Sequence, residues 1–489
     1  MRNSRENNKS ATSRRDFFST IVDGIHGMGL AYVLGADLFS SNPALAANVE
    51  TAASYDLKPK PPHFPGKAKS VIQLFMNGGP SQVDLFDPKS SLEKYAGKVP
   101  SRDLTTDVVS PAANKGILPS PYKFSKHGRC GMEISELLPH TAKHADEIAL
   151  IRSMYTDTPN HEPGLFMIHT GRIVMGRPSL GAWIAYGLGT ENQNLPAYVV
   201  LDDPKGLPIN GIQNWQSAWL PPVYQGTRFR SEGAPVLNLD PRPEWPEDAL
   251  AIHRNLLRRL DEAHLQRRPN EPDLSGRISS YELAARMQIA ASDALDLSKE
   301  SDKTKEMYGF QDEISASYAK RCLMARRLVE RGVRFVQLYI ERQIWDNHAE
   351  LDKGLRYCCG KTDKPIAALL TDLRERGLLD STLVIWCGEF GRLPLGQGGQ
   401  AGVALGRDHG PSGFSVWLAG GGVKGGTIYG ATDELGHQAV ENRVSVHDFH
   451  ATILHALGTN YRNLVFRRHG LDERLTDQFP ARVVSEIIG

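Results

Sequence analysis

Six short runs of almost unbroken apolar residues, each ending in glycine or polar residues, constrain this chain more than any other feature. The first, residues 70–76, stops at Asn77-Gly78-Gly79-Pro80; the others occupy residues 148–151, 197–201, 334–340, 382–387 and 414–419. Runs of that length bounded by turn residues read as buried strands. Between them, apolar residues at three- and four-residue steps predict helices over 159–170, 314–331, 365–377 and 446–457. Strands that are apolar on both sides need cover on both faces, and alternation with helices supplies it, so the expected fold class is α/β with a mainly parallel central sheet. Ligands of such sheets bind beyond the carboxyl ends of the strands, where loops and helix N-termini meet.

The chain has 489 residues, enough for two or three domains or one large α/β unit, and its 40% hydrophobic and 23% charged content excludes disordered, collagen-like and multi-pass membrane classes. With 57 basic against 56 acidic residues, the formal charge of +1 gives no reason to expect nucleic acid or an anionic membrane as partner. The five cysteines are scattered and form no Cys-x-x-Cys pair. At the start, Ser13-Arg14-Arg15-Asp16-Phe17-Phe18 precedes a mostly apolar run over 21–39 and a small-residue site at Ala44-Leu45-Ala46. Asp23, His26 and Asp37 make that run too polar for a permanent membrane span. It reads as a twin-arginine export signal over residues 1–46, which makes the twin-arginine translocation machinery an expected partner and the periplasm or exterior the expected location. Residues 47–69 then read as a linker and 70–489 as one α/β domain, with a Pro-, Trp- and Arg-rich insertion at about 210–277.

The strand ends carry the candidate chemistry. Asn77, Gly78 and Ser81 follow the first strand, where glycines let backbone N–H groups approach an anion. Thr158-Pro159-Asn160-His161 follows the second, with Pro159 suited to a first helical turn, so Thr158 and His161 stand where a helix dipole favours a nucleophile or bound anion. Trp345-Asp346-Asn347-His348 places a carboxylate and an imidazole two residues apart, able to share one divalent cation. Glu389 and Arg392 follow the strand at 382–387, the arginine being suited to clamping an oxyanion. Asp408 and His409 precede the strand at 414–419. Three acid/His clusters at one sheet edge would be expensive to desolvate without a cation. No Gly-x-Ser-x-Gly, Walker loop, dinucleotide fingerprint or His-Glu-x-x-His is present.

With Leu74 to Lys89, Asn160-His161-Glu162-Pro163, Trp345 to His348, Cys387 to Arg392 and Gly406 to His409 in hand, the chain resembles the bacterial domain-of-unknown-function family 1501, within the alkaline phosphatase/sulfatase superfamily. The resemblance implies a three-layer sandwich and metal-dependent hydrolysis of phosphate or sulfate esters. It implies metal ligands among Asp346, His348, Glu389, Asp408 and His409, catalytic roles for Thr158, His161 and Arg392, and substrate contacts at Asn77, Gly78, Ser81 and Asn160. The implied cofactor is a divalent metal, with zinc, manganese or calcium expected, and the implied partner is an anionic ester such as a sulfated glycan. Two departures stand out. Asn77 replaces the carboxylate that usually follows the first strand, and no cysteine lies in a Cys-x-Pro-x-Arg context. A catalytically silent protein binding sulfated or phosphorylated glycans, or a structural or secretion-associated protein on the same fold, is the alternative.

Overall fold

The computed structural model describes residues 55–99, 114–232, 236, 247–268, 272–398 and 402–489. The signal segment expected over residues 1–46 lies outside them. The chain divides into two units. One comprises residues 1–54 and 242–275, in which the described structure is the long charged helix Glu247–Arg267 and the start of Pro272–Leu295. The other, residues 55–241 and 276–489, holds the sheet and everything that follows here.

The strands of the central sheet and of the small three-stranded sheet beside it are β1 (Ser70–Phe75), β2 (Asn114–Ile117), β3 (Ile148–Tyr155), β4 (Tyr198–Leu201), β5 (Thr227–Phe229), β6 (Phe335–Tyr339), β7 (Thr382–Cys387), β8 (Gly391–Gln397), β9 (Gly406–Gly410), β10 (Phe414–Ala419), β11 (Thr427–Tyr429) and β12 (Val444–Ser445). The central sheet runs β11-β3-β10-β7-β1-β6-β4-β5, with β12 added to β3. β1 pairs in parallel with β6 and β7, and β4 with β5 and β6. Every residue of β1, β6 and β7 is buried. Because successive side chains point to opposite faces, full burial means that both faces are covered, as the unbroken apolar runs require.

One strand departs from the parallel rule. β10 runs antiparallel to both β7 and β3. The reason is the connection: after β7 the chain forms β8 and β9, an antiparallel pair at the carboxyl edge that also takes in β2, and re-enters the sheet from that edge without a crossover helix. Trp386 of β7 and Trp417 of β10 lie opposite each other and stack, ring centroids 6.3 Å apart and 4° from parallel.

Four helices of this unit matter for the site and its support: α1 (His161–Thr170), α2 (Ala316–Glu330), α3 (Leu351–Glu375) and α4 (Val446–Ala456). α4 begins with a reciprocal capping box between Ser445 and Asp448. α3 starts well before the expected boundary at Pro365, which lies inside it. Its buried stripe, Leu351, Leu355, Cys358, Thr362, Ile366, Leu369 and Leu373, keeps helical spacing through the proline, so packing offsets a break worth about 3 kcal/mol. The described part of the segment read as a linker, residues 55–69, makes contacts with the domain. Leu57 and Ala68 are core residues, and Phe64 N–H donates to Gly458 O at 3.1 Å. Among the described residues, no helix is long and apolar enough to cross a membrane.

Candidate metal centre

The parallel register β6–β1–β7 fixes which loops meet: Phe75 lies beside both Tyr339 and Cys387, so the residues beyond all three strands emerge at one edge. β3 points the same way, since β10 is antiparallel to both it and β7, and delivers the segment leading to α1. β9 stands at this edge as part of the excursion between β7 and β10.

Four side chains converge there. His161, Asp346, His348 and His409 each offer one ligand atom, all within 4.8 Å of one another. Asp346 is the centre: its Oδ1 lies 2.9 Å from His348 Nε2 and 3.2 Å from His409 Nε2, and its Oδ2 lies 3.2 Å from His161 Nε2. The two Nε2 atoms of His348 and His409 are 2.9 Å apart. His161 Nε2 is buried without a hydrogen-bond partner despite its closeness to Asp346. Three imidazole nitrogens and a carboxylate oxygen crowded together, one nitrogen orphaned, form a donor set that fits a divalent cation.

The groups behind the cluster orient it. Glu389, fully buried, accepts from His161 Nδ1 at 2.7 Å and from Gly78 N–H at 2.8 Å, which directs Nε2 of His161 at Asp346. Gln397 Oε1 contacts His348 Nδ1. Phe390 packs on the rings of His161 and His409, with centroids 4.9 and 4.8 Å away. Burial pulls His161 down, but Asp346 and Glu389 outweigh it and push the imidazole up to about 9. Burial raises Asp346, yet the three histidines and Arg392 hold its carboxyl far below the usual carboxylate range. His409 is lowered, first by burial, with Arg392 and His161 adding to it against Asp346.

Asp346, His348 and His409 therefore sit together, and His161, expected as a catalytic residue, is the fourth member of their cluster. Glu389 stands one step behind it. Asp408 accepts from His409 N–H at 2.9 Å and lies 3.9 Å from His348 Nδ1. Several other expected residues are committed elsewhere. Asn77 donates to Ile340 O at 2.8 Å and to Arg342 O, and accepts from Ile340 N–H at 3.2 Å, which ties the end of β1 to the loop carrying Asp346 and commits both N–H groups of its amide. Ser81 donates to Asp84 at 2.6 Å. Gly78 N–H serves Glu389, not an external anion. Thr158 Oγ1 accepts from Asn160 N–H at 3.3 Å, closing the turn before α1, and Asn160 caps α1 without a side-chain hydrogen bond. Arg392, expected as an oxyanion clamp, gives its guanidinium to Gly79 O at 2.9 Å, Arg407 O at 3.1 Å, Gly78 O and Asp346 Oδ1.

Sequence reasoning missed Gln397, whose polar side chain in a glycine-rich stretch gives no signal, and the pairing of Asp84 with Arg407. The two ends of that pair were visible inside quoted motifs, but their 323-residue separation hides it.

Fold and site together define an α/β protein with a three-histidine, one-aspartate cluster at the carboxyl edge of a mainly parallel sheet. The chain belongs to the family of proteins of unknown function DUF1501, which it matches over residues 68–488. Among solved structures it aligns with the lipoteichoic acid synthase LtaP from Listeria monocytogenes at 8% identity and TM-score 0.35, over 82% of this chain and 76% of that one. The PsFucS1 sulfatase from Pseudoalteromonas sp. aligns at 11% identity and TM-score 0.32, over 80% and 68%. An alkaline phosphatase from the Antarctic bacterium TAB5 aligns at 13% identity and TM-score 0.29, over 81% and 99%. No curated protein matches the sequence.

Proposed function

We propose that this protein is an exported metal-dependent hydrolase of phosphate or sulfate esters. The observation that carries the reading is the convergence of His161, Asp346, His348 and His409 within 4.8 Å. Three imidazoles with one carboxylate suit zinc or manganese. Calcium, which takes about six to eight oxygen ligands, does not suit this set. A divalent cation held by His161, Asp346, His348 and His409 would supply Lewis-acid chemistry towards an anionic ester. The chain's own groups do the rest. Glu389 holds Nδ1 of His161 so that Nε2 faces the centre, and Arg392 balances part of the Asp346 charge. Thr158 Oγ1 accepts from Asn160 N–H at 3.3 Å and keeps its own proton, so the attacking oxygen in this reading is the Thr158 hydroxyl or water. The substrate class is an anionic ester such as a sulfated glycan. The paired arginines Arg14 and Arg15 support passage through the twin-arginine machinery to the periplasm or beyond.

The commitment of the Arg392 guanidinium to three backbone carbonyls and Asp346 favours a second reading, a catalytically silent binder of sulfated or phosphorylated glycans. Elemental analysis of purified protein, followed by assays with p-nitrophenyl phosphate and p-nitrophenyl sulfate, separates the two. The hydrolase is expected to carry about one zinc or manganese per chain, to turn over one of the esters, and to lose both properties in Asp346→Ala. Metal without turnover, or binding of anionic glycans without metal, moves the reading to the binder, and protein without metal overturns the hydrolase.

A further inference from the structure

Asp84 and Arg407 have no place in the ligand cluster, yet they form the most completely buried ion pair near it. Both side chains are fully buried. The pairing is bidentate, with Arg407 Nε 2.7 Å from Asp84 Oδ2 and Nη2 3.0 Å from Oδ1. Ser81 adds a hydrogen bond to Asp84 Oδ2 at 2.6 Å. Arg407 lies two residues before His409 on β9, and residues two apart in a strand project to the same face. Fixing the one guanidinium therefore fixes the rotation and advance of the strand that presents His409. The backbone of Arg407 is held from two further sides: its N–H donates to Asn347 O at 2.9 Å, and its carbonyl accepts from Arg392 Nη1 at 3.1 Å. Those contacts join β9 to the loop carrying Asp346 and His348 and to the arginine paired with Asp346.

We propose that Asp84 is a positioning residue which, through Arg407, sets His409 in register with Asp346 and His348. This rests on the reading of the cluster as a metal site. The segment from Asn77 to Asp84 then acts as a frame and not as an anion loop: Asn77 ties down the Asp346 loop, Gly78 supports Glu389 behind His161, and Asp84 governs β9. A charged pair in place of an apolar one suits the task, because a bidentate ion pair defines one geometry while apolar packing tolerates several.

The test is a zinc titration of chelator-stripped full-length protein, wild type against Asp84→Asn, His409→Ala and the double variant, with His161→Ala alone and combined with Asp84→Asn. Asp84→Asn is expected to weaken zinc binding about 10- to 100-fold, the range for residues that orient ligands. It is expected to add no loss once His409 is already Ala, and to keep its full effect in the His161→Ala background. A purely structural pair would lower thermal stability and leave the affinities alone, or weaken zinc equally in both backgrounds; either result overturns the proposal while leaving the metal site standing. Where Asp84→Asn does not fold, Arg407→Lys, which keeps the charge and loses the bidentate geometry, is read by the same scheme. Wild-type protein that takes up no zinc or manganese overturns the metal reading itself, and this proposal with it.

Discussion

His161 concentrates the electrostatics of the site at one imidazole. Between Glu389 on Nδ1 and Asp346 near Nε2 it is pushed up to about 9 in the metal-free chain, burial notwithstanding. A raised folded-state value contributes stability that is complete below the ~6.5 of an unfolded histidine and is lost as pH rises through about 9. The shift corresponds to an upper bound on the order of 3 kcal/mol. Metal-free protein is expected to lose thermal stability between these values, and His161→Ala to show a flatter profile, both measured by thermal unfolding in chelator across that range. His409 moves the other way, so its contribution falls away below the window and does not mask the effect. A cation must displace the His161 proton, so metal affinity is expected to rise with pH over the same interval, checked by titration at each pH. Asp346, His348, Glu389 and His409 were legible in the sequence as donors at strand ends. The place of His161 among them was not, because nothing in the order of the chain says that the first turn of α1 faces the loop after β6.

At the scale of elements, the β8–β9 excursion makes the site. Gly406-Arg407-Asp408-His409-Gly410, placed in the sequence only as preceding a strand, is itself a strand, pairing Arg392 with His409 across the antiparallel ladder. Five mainly polar residues carry no alternation to announce this, and the partner strand supplies what local propensity lacks. Close approach sets the choice of Gly406. A Cβ there would lie 2.2 Å from Asn347 O and from His348 C, so any side chain separates β9 from the loop holding two ligands. Gly406→Ala is expected to weaken metal binding at least ~10-fold with the central sheet preserved, read by metal titration together with far-ultraviolet circular dichroism. Gly78 answers a similar demand. Its φ of +117° and a Cβ that would sit 2.6 Å from Asp346 N explain why glycine follows Asn77. Turn chemistry therefore identified the position correctly, while its purpose is contact with protein backbone.

For the whole molecule, β1 is the keel. It lies between β6 and β7, its six residues are all buried, and the loops beyond it tie together the segments bearing the ligands. Ile72→Ala, which removes a fully buried side chain from this strand, is expected to cost about 2–5 kcal/mol, measured as a lowered urea midpoint. Site and sheet share this strand, so the metal-binding capacity of that variant is expected to disappear in the same transition as the fold, a point a metal titration along the urea series checks. At the other extreme of the chain, replacing Arg14 and Arg15 by Lys is expected to hold the precursor in the cytoplasm, since guanidinium pairs and not charge alone are the recognised feature. Processing of that variant at the normal rate, followed by immunoblot, would count against the export reading.

The sequence by itself determined the sheet. Continuous apolar runs cannot rest with one face in water, so the strands beginning near residues 70, 148, 334, 382 and 414 had to be interior, and the polar residues after most of them had to emerge at an edge. It also determined most of the donor chemistry, because Asp and His at those ends are costly unless something compensates them. Tertiary structure alone decided the reversal of β10, the recruitment of His161, the role of Gly406-Arg407-Asp408-His409-Gly410 as a strand, and the pairing of Asp84 with Arg407. Each depends on contacts between residues far apart in the chain, and such contacts leave no periodicity or composition from which one sequence could reveal them.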